Sequence, residues 1–416
     1  MKISTMRFLD QWVGIPLCGI AQLLAGSIKR HKLTQTKLEH PILIIHLSEM
    51  GAMVLAQPAI QELRRRLPNT PLYFLGFPPV TELLATLKVV PQTQLLTIDP
   101  SSLSSLISSG LKVLKKLRSL QLGGVIDCEG FSRASALLSF LACPHGFRLG
   151  WHPYSIPHLY RGNLLTHRVQ YNSHQHASQA YLTLVDALWA DPSQEPFPQQ
   201  PPTSALPPQT PLPFAFNCQA DEADLNYIDS QLKEYAVAKD SELIIVNPNS
   251  SDMLPLRRWP LENYAAVLRE LRKKRPQLAI VVTGTSSEHQ GAVKLKELLP
   301  EMPIYDFTGR TTLPQLLALY KRCRLLLTND SGPAHLASIV ELPSVVLYGP
   351  ETPALFSPLG NKTKILYKNW LCSPCVSPYN GKNSLCKSGA CLRSITVEEV
   401  VQTALEQLER DDIRPL

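Results

Sequence analysis

Apolar residues follow two alternating patterns along this chain of 416 residues. Short continuous apolar runs predict buried strands at 41–51, 70–77, 92–99 and 123–130. Segments with helical spacing lie between these runs, at 56–68 and 105–120. Strands and helices that alternate at this spacing predict a parallel α/β sheet with helices on both faces.

The alternation stops between residues 192 and 213, where nine of 22 residues are proline. Such a stretch cannot bury a core, and it predicts an extended linker. Beyond it the alternation restarts, with predicted strands at 242–250, 278–285, 324–332 and 343–350 and predicted helices at 261–276, 287–299 and 313–323. The pattern therefore predicts two Rossmann-like domains, 41–191 and 214–416, that face a cleft and are joined by the linker 192–213.

The first apolar segment predicts a membrane-associating element within residues 1–40. Residues 11–28 contain no charge, and Lys29, Arg30 and Lys32 follow. The run is marginal for a spanning helix, which needs about 20 apolar residues. It predicts a helix that lies in the membrane interface. A helix packed on the protein's own surface is an equal alternative, and a spanning helix or an uncleaved signal peptide is a weaker one.

Composition and charge limit which classes of binding partner are expected. The net charge of +7 suits an anionic substrate or an anionic membrane surface. No long Lys/Arg run interleaves with aromatic residues, which argues against a dedicated nucleic-acid binder. Five of the nine cysteines are scattered, which is typical of a protein from a reducing compartment. We therefore expect a cytoplasmic protein.

The stretch LLLTNDSGPAHLASIVELPSVVLYGP, residues 325–350, holds the most specific local signal. An apolar run ends in small polar residues, Pro333 follows at the predicted helix start, and helical spacing continues to Val340. The first N–H groups of a helix bind anions, and small residues let a phosphate approach. An ordinary capped turn is the alternative.

Five segments in order resemble glycosyltransferase family 9, the heptosyltransferase family, over nearly the whole chain after about residue 40. They are ILIIHLSEMGAMVLAQPAIQELRRRLP, VIDCEGFSRASALLSFL, VNPNSSDMLPLRRWPLENY, VVTGTSSEH and TGRTTLPQLLALYKRCRLLLTNDSGPAHLASIVELPSVVLYGPETPALFSP. The resemblance implies an inverting enzyme of the two-domain GT-B fold that uses a nucleotide-diphosphate sugar.

By this resemblance the stretch after residue 325 belongs to the donor site. Ser331 and Gly332 then offer backbone N–H groups to the diphosphate. Asp330 is itself anionic, so sugar hydroxyls suit it better than a phosphate, and helix capping is its alternative role. His335 donates to phosphate or sugar, the alternative being a buried histidine bonded to backbone.

The resemblance also places Ser250, Ser251 and Arg257 against the diphosphate, because guanidinium groups neutralise the leaving nucleotide. A solvated surface pair of Arg257 and Arg258 is the alternative. Glu288 matches the family's acidic residue at the ribose, and a helix-start glutamate is equally expected. No Asp-x-Asp motif is present. We therefore expect a catalysis that needs no metal and no cofactor.

The chain departs from the family at the proposed base. Gly51-Ala52 stands where the family usually has Gly-Asp, and alanine cannot accept a proton. Glu49 on the same loop is the predicted base, with His46 as a weaker candidate. The alternative is a catalytically dead protein that only binds a nucleotide sugar.

Four of the nine cysteines lie in the tail 370–393. Cys372, Cys375, Cys386 and Cys391 have the spacing x2, x10, x4 in a loop rich in Ser, Pro, Gly and Asn. This spacing predicts a structural zinc site. Free or redox-active thiols, two disulfides and an iron–sulfur cluster are alternatives, and similar tails occur in some members of the family.

The resemblance implies an inverting transfer of a sugar, such as heptose, from an ADP-sugar or another nucleotide sugar. The expected acceptor is a lipid-linked saccharide such as the lipopolysaccharide core, at the cytoplasmic face of the inner membrane. The alternatives are a non-catalytic nucleotide-sugar-binding protein and a sugar-nucleotide epimerase on the same fold.

Overall fold

The computed structural model describes residues 3–26, 33–154, 156–199, 221–238, 241–250 and 254–409. The chain divides into two compact units, Met1–Ala215 and Phe216–Leu416. Most of the predicted linker, from residue 200 onward, lies outside the described residues, and so does Ser251.

The N-terminal unit alternates strands and helices. Its strands are β1 (Ile42–Ile45), β2 (Leu72–Gly76), β3 (Leu95–Thr97), β4 (Gly124–Asp127), β5 (Phe147–His152) and β6 (His167–Gln170). Its helices are α1 (Ile3–Trp12), α2 (Gly14–Ala25), α3 (Gln35–Glu39), α4 (Met50–Arg66), α5 (Pro78–Thr86), α6 (Leu103–Ser119), α7 (Arg133–Ala142) and α8 (Ala177–Asp186).

The C-terminal unit repeats this plan. Its strands are β7 (Glu242–Asn247), β8 (Leu278–Val282), β9 (Ile304–Asp306), β10 (Leu325–Asn329), β11 (Ser344–Tyr348) and β12 (Thr363–Tyr367). Its helices are α9 (Glu222–Glu234), α10 (Leu261–Lys274), α11 (His289–Leu298), α12 (Leu313–Lys321), α13 (Gly332–Ile339), α14 (Pro353–Phe356), α15 (Ala390–Arg393) and α16 (Val397–Leu408).

Both units contain a six-stranded parallel sheet of the same topology, which confirms the predicted α/β architecture. The orders are β3-β2-β1-β4-β5-β6 and β12-β11-β10-β7-β8-β9. In each sheet the strand order reverses between two central neighbours, β1 and β4 in one and β7 and β10 in the other. Ligands of open α/β sheets bind beyond the carboxyl ends of strands at such a reversal. The loops that follow these four strands are therefore the first places to look for a site.

The central strands are apolar because both of their faces are covered. All residues of β1, β8 and β10 are buried, as parallel sheets require. In the C-terminal unit, Val246, Leu327 and Val345 pack with Trp259, Leu268 and Val400 into one core. These rigid strands fix the positions of the polar residues that follow them.

The predicted end of the first strand and the predicted start of the helix after β10 are wrong. The first strand ends at Ile45, and Gly51 already lies in α4. At the start of this helix the N–H of Met53 donates to Glu49 O at 3.0 Å. The apolar face of the helix directly continues the apolar run of the strand, so the pattern does not mark the boundary. Similarly, α13 begins at Gly332, and Pro333 is its second residue.

Candidate functional site

A buried ionic cluster lies beyond the carboxyl ends of β10 and β11. Arg257 closes a short 3-10 turn, Pro255–Arg257, that follows β7 and precedes α10. Its Nη1 lies 3.5 Å from Asp330 Oδ2 and 3.6 Å from Glu351 Oε2. Both carboxylates are almost fully buried. The structure therefore brings Arg257 and Asp330 together, and it adds Glu351, which the sequence did not indicate.

Burial and neighbouring cations act in opposite directions on the carboxylate of Asp330. Burial raises the pKa of Asp330, and the neighbouring Arg257 and Lys382 oppose that rise. Ionised carboxylates have only acceptor oxygens. Hydroxyl groups, which donate hydrogen bonds, suit such a cluster. Sugar hydroxyls as the partners of Asp330 stay a prediction.

Asn329, the last residue of β10, fixes the loops around the cluster. Its Oδ1 accepts from the N–H of Trp259 at 3.1 Å and from the hydroxyl of Tyr264 at 3.0 Å. Its Nδ2 donates to Pro248 O at 2.8 Å. A fully buried amide that bonds in three directions holds the loop after β7 against the start of α10. In the sequence, this loop-holding role is indicated by a polar residue at the end of an apolar strand.

The two adjacent arginines have different partners. Arg258 donates through Nε and Nη2 to Ser250 O, at 3.1 and 2.6 Å. It therefore holds the loop, while Arg257 faces the carboxylates. The idea of a solvated pair is wrong for Arg257, whose side chain is 12% exposed. The hydroxyl of Ser250 is buried and makes no hydrogen bond within the described residues.

The start of α13 leaves its first amide groups without a side-chain cap. Ser331 is the N-cap residue, but its hydroxyl donates to Asn329 O at 3.2 Å instead of capping the helix. Gly332 follows, with open space where a Cβ would be. His335 is buried one turn into the helix. This is the arrangement in which a helix start accepts an anion.

Glu288 takes part in local capping. Its Oε2 accepts from the N–H and the hydroxyl of Thr285, at 2.7 and 3.0 Å, in a capping box of the 3-10 turn Ser286–Glu288. This is the helix-start role that the sequence offered as the alternative. Contact with a ribose stays a prediction.

In the N-terminal unit, polar residues meet beyond β1 and β4, where the strand order reverses. Glu49 is the half-buried N-cap residue of α4, and Ala52 lies in the first turn of that helix. His46 is buried, with Nε2 at 3.3 Å from the hydroxyl of Tyr181 and Nδ1 at 3.7 Å from Glu129 Oε1. The weaker candidate for the base, His46, is thus enclosed by its neighbours.

Glu129 is a titratable residue that the sequence analysis missed. Its carboxylate accepts a short hydrogen bond from the N–H of Leu47. Burial raises its pKa to about 7, the amide of Leu47 opposes the rise, and the charges of Asp127 and Glu49 add to it. A carboxyl group that titrates near neutral pH suits acid–base chemistry. Its position directly after a buried strand is the signal that the sequence offered.

A fully buried ion pair supports this loop. Asp127 Oδ2 is bonded to Arg161 Nη2, and it accepts from the hydroxyl of Ser135 at 2.9 Å. Asp127 Oδ1 accepts from the N–H of Glu129 at 3.1 Å. Arg161 also donates to Trp151 O at 3.1 Å. This network joins β4, α7 and the loop before β6, and it fixes the backbone of Glu129.

The four tail cysteines line one cavity of about 480 Å³. Burial raises the pKa of Cys391, and the other three thiols contribute to the rise. A hydrogen bond from the N–H of Gly389 lowers the pKa of Cys386. Among the described residues, no three Cys, His, Asp or Glu side chains are close enough to hold a metal ion. The thiols suit zinc in number and type, but they would have to draw together to bind it.

Comparison with known proteins places the chain in a family. The sequence profile of glycosyltransferase family 9 (heptosyltransferase) matches residues 111–383. Lipopolysaccharide heptosyltransferase 2 of Salmonella typhimurium is 30% identical over 136 residues, which are 32% of this chain and 38% of that protein. Lipooligosaccharide heptosyltransferase 2 of Haemophilus ducreyi is 26% identical over 334 residues, 78% of this chain and 88% of that protein.

The fold is that of a solved relative. The structure of E. coli ADP-heptose lipopolysaccharide heptosyltransferase II superposes with a TM-score of 0.64 at 21% identity, covering 89% of this chain and 99% of that one. This likeness confirms the predicted GT-B fold class. Because the family profile covers well over half of the residues, the chain belongs to glycosyltransferase family 9.

Proposed function

We propose that this chain is an inverting glycosyltransferase that moves a sugar from a nucleotide-diphosphate sugar to a lipid-linked saccharide. Its family and its heptosyltransferase relatives favour heptose, an ADP-sugar donor and the lipopolysaccharide core as the first substrates to test. The observation that carries the proposal is the buried cluster of Arg257, Asp330 and Glu351, beyond the strand ends of a family 9 chain.

The donor is assigned to the C-terminal unit. The backbone N–H groups of Ser331 and Gly332 donate to the diphosphate, and Asp330 accepts hydrogen bonds from sugar hydroxyls. Arg257, held by its two carboxylates, presents a preorganised positive charge to the leaving nucleotide. The buried hydroxyl of Ser250 is a further donor to the diphosphate. These groups stabilise the leaving group without a metal ion.

The acceptor chemistry is assigned to Glu49. Its carboxylate takes the proton of the acceptor hydroxyl while that oxygen attacks the anomeric carbon from the face opposite the diphosphate. The bond from the anomeric carbon to the diphosphate breaks as the new glycosidic bond forms, and the nucleoside diphosphate leaves with the electron pair. A single displacement of this kind inverts the anomeric configuration.

Donor binding tests this proposal first. We expect calorimetry with ADP, UDP, GDP, CDP and dTDP to show selective binding of one diphosphate. Arg257→Ala should weaken that binding about 10- to 100-fold, since a charged hydrogen bond contributes about 1.5–3 kcal/mol. The matched control is Arg269→Ala, which removes an exposed arginine of the same unit that pairs with Glu301. A folded protein that binds none of the five contradicts the donor site.

A non-catalytic protein that binds a nucleotide sugar is the second candidate. The observation that favours it is Ala52, which occupies the first turn of α4 where the family has its aspartate. Such a protein binds a diphosphate but shows no turnover with any acceptor.

For the tail we propose a structural zinc ion held by Cys372, Cys375, Cys386 and Cys391. We expect metal analysis of protein purified under reducing conditions to find about one zinc per chain. Cys372→Ser with Cys375→Ser should lose it, whereas Cys323→Ala, a buried cysteine of the same unit, should keep it. Free thiols at all four tail cysteines, with no zinc in the purified protein, would argue against the site. Iron instead of zinc would show that the site holds a different metal.

A further inference from the structure

Residues 3–25 form one nearly continuous helical run. Hydrogen bonds pass from α1 into α2 through Val13, whose N–H donates to Leu9 O at 3.0 Å and whose carbonyl accepts from Leu17 N–H at 3.2 Å. The stretch Thr5–Ala25 is long and apolar enough to cross a membrane by length and composition, with a mean hydropathy of 1.3. Core helices and signal sequences can meet the same criterion, so the contacts of the helix must decide its role.

Polar contacts attach one side of this helix to the N-terminal unit. Asp10 Oδ1 accepts from the N–H groups of Arg133 and Ala134, both at 2.9 Å, and so caps the start of α7. Gln22 Oε1 accepts from the N–H of Asn163 at 2.9 Å and the hydroxyl of Tyr160 at 3.0 Å. A spanning helix would have to break these bonds and place the Asp10 carboxylate in or near hydrocarbon.

Apolar packing follows the same side. Cys18 and Ala21 are buried against Leu164, with Leu137 and Phe140 of α7 beside them. Gly14 lies so close to Arg133 that an added Cβ would come within 2.8 Å of its side chain. Residues 10, 14, 18, 21 and 22 share one face of a helix, so the contacts form a continuous stripe.

The opposite side of the helix is apolar and exposed. Leu23 and Leu24 are 84% and 82% exposed, Trp12 is 64% exposed, and Ile20 is 54% exposed. Folding of the unit leaves these side chains in water, although each would gain free energy by burial. A helix that is docked on one side and apolar on the other suits a surface that covers it from outside.

The charges around this face favour an anionic cover. Asp10 is the only carboxylate in α1, α2, α6 and α7, and it is bound to the start of α7. Lys112 and Lys115 are exposed on α6, which packs against α7. Lys29, Arg30 and Lys32 follow the helix in the sequence. Basic residues next to an apolar helix face are typical of contact with anionic lipid headgroups.

We infer that the exposed face of α1 and α2 lies flat in the headgroup region of an anionic phospholipid bilayer, while Asp10 and Gln22 keep the helix docked on the protein. This inference deepens the proposed function, because a lipid-linked acceptor must be reached at a membrane. It does not depend on sugar transfer, since the face binds lipid without donor or acceptor.

Co-sedimentation with vesicles tests whether an anionic bilayer binds this face. The full-length protein should bind vesicles with 30% phosphatidylglycerol in phosphatidylcholine, and it should bind pure phosphatidylcholine at least tenfold more weakly. Leu23→Ser with Leu24→Ser should weaken binding to the anionic vesicles more than tenfold. Leu371→Ser with Leu385→Ser, which changes two fully exposed leucines of the C-terminal unit, should leave binding unchanged.

Depth measurements test the flat orientation. Brominated lipids should quench Trp12 at a shallow depth, and Leu23→Trp in a Trp12→Phe background should give the same shallow depth. Two very different depths would show a spanning helix and overturn the inference.

Three other results would also overturn it: no binding of the unaltered protein to anionic vesicles, equal binding by the Leu23/Leu24 variant, or a stable dimer that this variant abolishes. The last would identify a second copy as the cover. Lipid binding without diphosphate binding would leave this inference standing while the proposed donor site fails.

Discussion

Glu49→Gln should lower the turnover number by about 10²- to 10⁴-fold and leave donor affinity unchanged. Glutamine keeps the size and polarity of the side chain but cannot accept the proton of the acceptor hydroxyl. Glu49 lies in the N-terminal unit, whereas the proposed diphosphate contacts lie in the C-terminal unit. The measurement is kcat with the donor that calorimetry selects, together with the Kd of its diphosphate.

The control is Ser48→Ala, an exposed neighbour on the same loop, which should keep full turnover. Glu129→Gln tests which of the two carboxylates, Glu49 or Glu129, is the base. If Glu129→Gln abolishes turnover while Glu49→Gln retains it, Glu129 is the base and our assignment is wrong. A wild-type protein that binds donor but never turns over supports the non-catalytic alternative.

The pH dependence gives a second readout of the same site. Because the pKa of Glu129 is raised to about 7, this group gains its charge as the pH rises through neutrality. A negative charge beside Glu49 stabilises the proton that Glu49 gains during transfer. We therefore expect kcat to rise between about pH 6 and pH 8 in the wild type. The rise should be absent in Glu129→Gln.

Asp127→Ala should destabilise the N-terminal unit by about 3–5 kcal/mol, because it leaves the buried guanidinium of Arg161 without its counter-ion. Both side chains are fully buried, so water cannot replace the lost carboxylate. Hydrogen exchange of the full chain measures the effect locally. Protection should fall in β4 and β5, whereas β7 and β10 in the C-terminal unit should keep theirs.

An exposed ion pair supplies the matched control for this change. Asp229 pairs with Arg322 in the C-terminal unit, and their side chains are 48% and 31% exposed. Asp229→Ala should therefore cost about 1 kcal/mol or less. Asp127→Leu combined with Arg161→Met should recover much of the stability, since no unpaired charge remains. Equal losses for Asp127→Ala and Asp229→Ala would contradict the buried network.

The alternation of strands and helices could be read from the sequence because hydrophobic periodicity is a local property. It predicts β2, β7, β8 and β10 close to their observed positions. It does not predict β5, where the buried Arg148 interrupts the apolar pattern. The guanidinium of Arg148 donates to Leu164 O at 2.7 Å and to Cys143 O at 2.8 Å. Such long-range partners leave no trace in the neighbouring residues.

Only some residues of the candidate sites could be predicted from the sequence. The polar residues after each strand, among them Asp330 and Arg257, could be selected from motif order and residue chemistry. Glu351 and Glu129 could not, because their roles depend on which loops the fold brings together and on how deeply each carboxylate is buried. A pKa near 7 for a glutamate arises from burial and neighbouring charges, and neither is a property of the local sequence.

The N-terminal helix shows this division most clearly. Its apolar composition and the basic residues that follow it can be read directly from the sequence, and they indicate affinity for a membrane. Composition alone is compatible with crossing the bilayer and with lying on it. The tertiary structure supplies contacts for Asp10 and Gln22 on one side of the helix and none of comparable burial for Leu23 and Leu24 on the other. Hydrogen bonds to distant residues hold the polar side to the protein, and the apolar side stays exposed, which is the basis of the inferred contact with lipid.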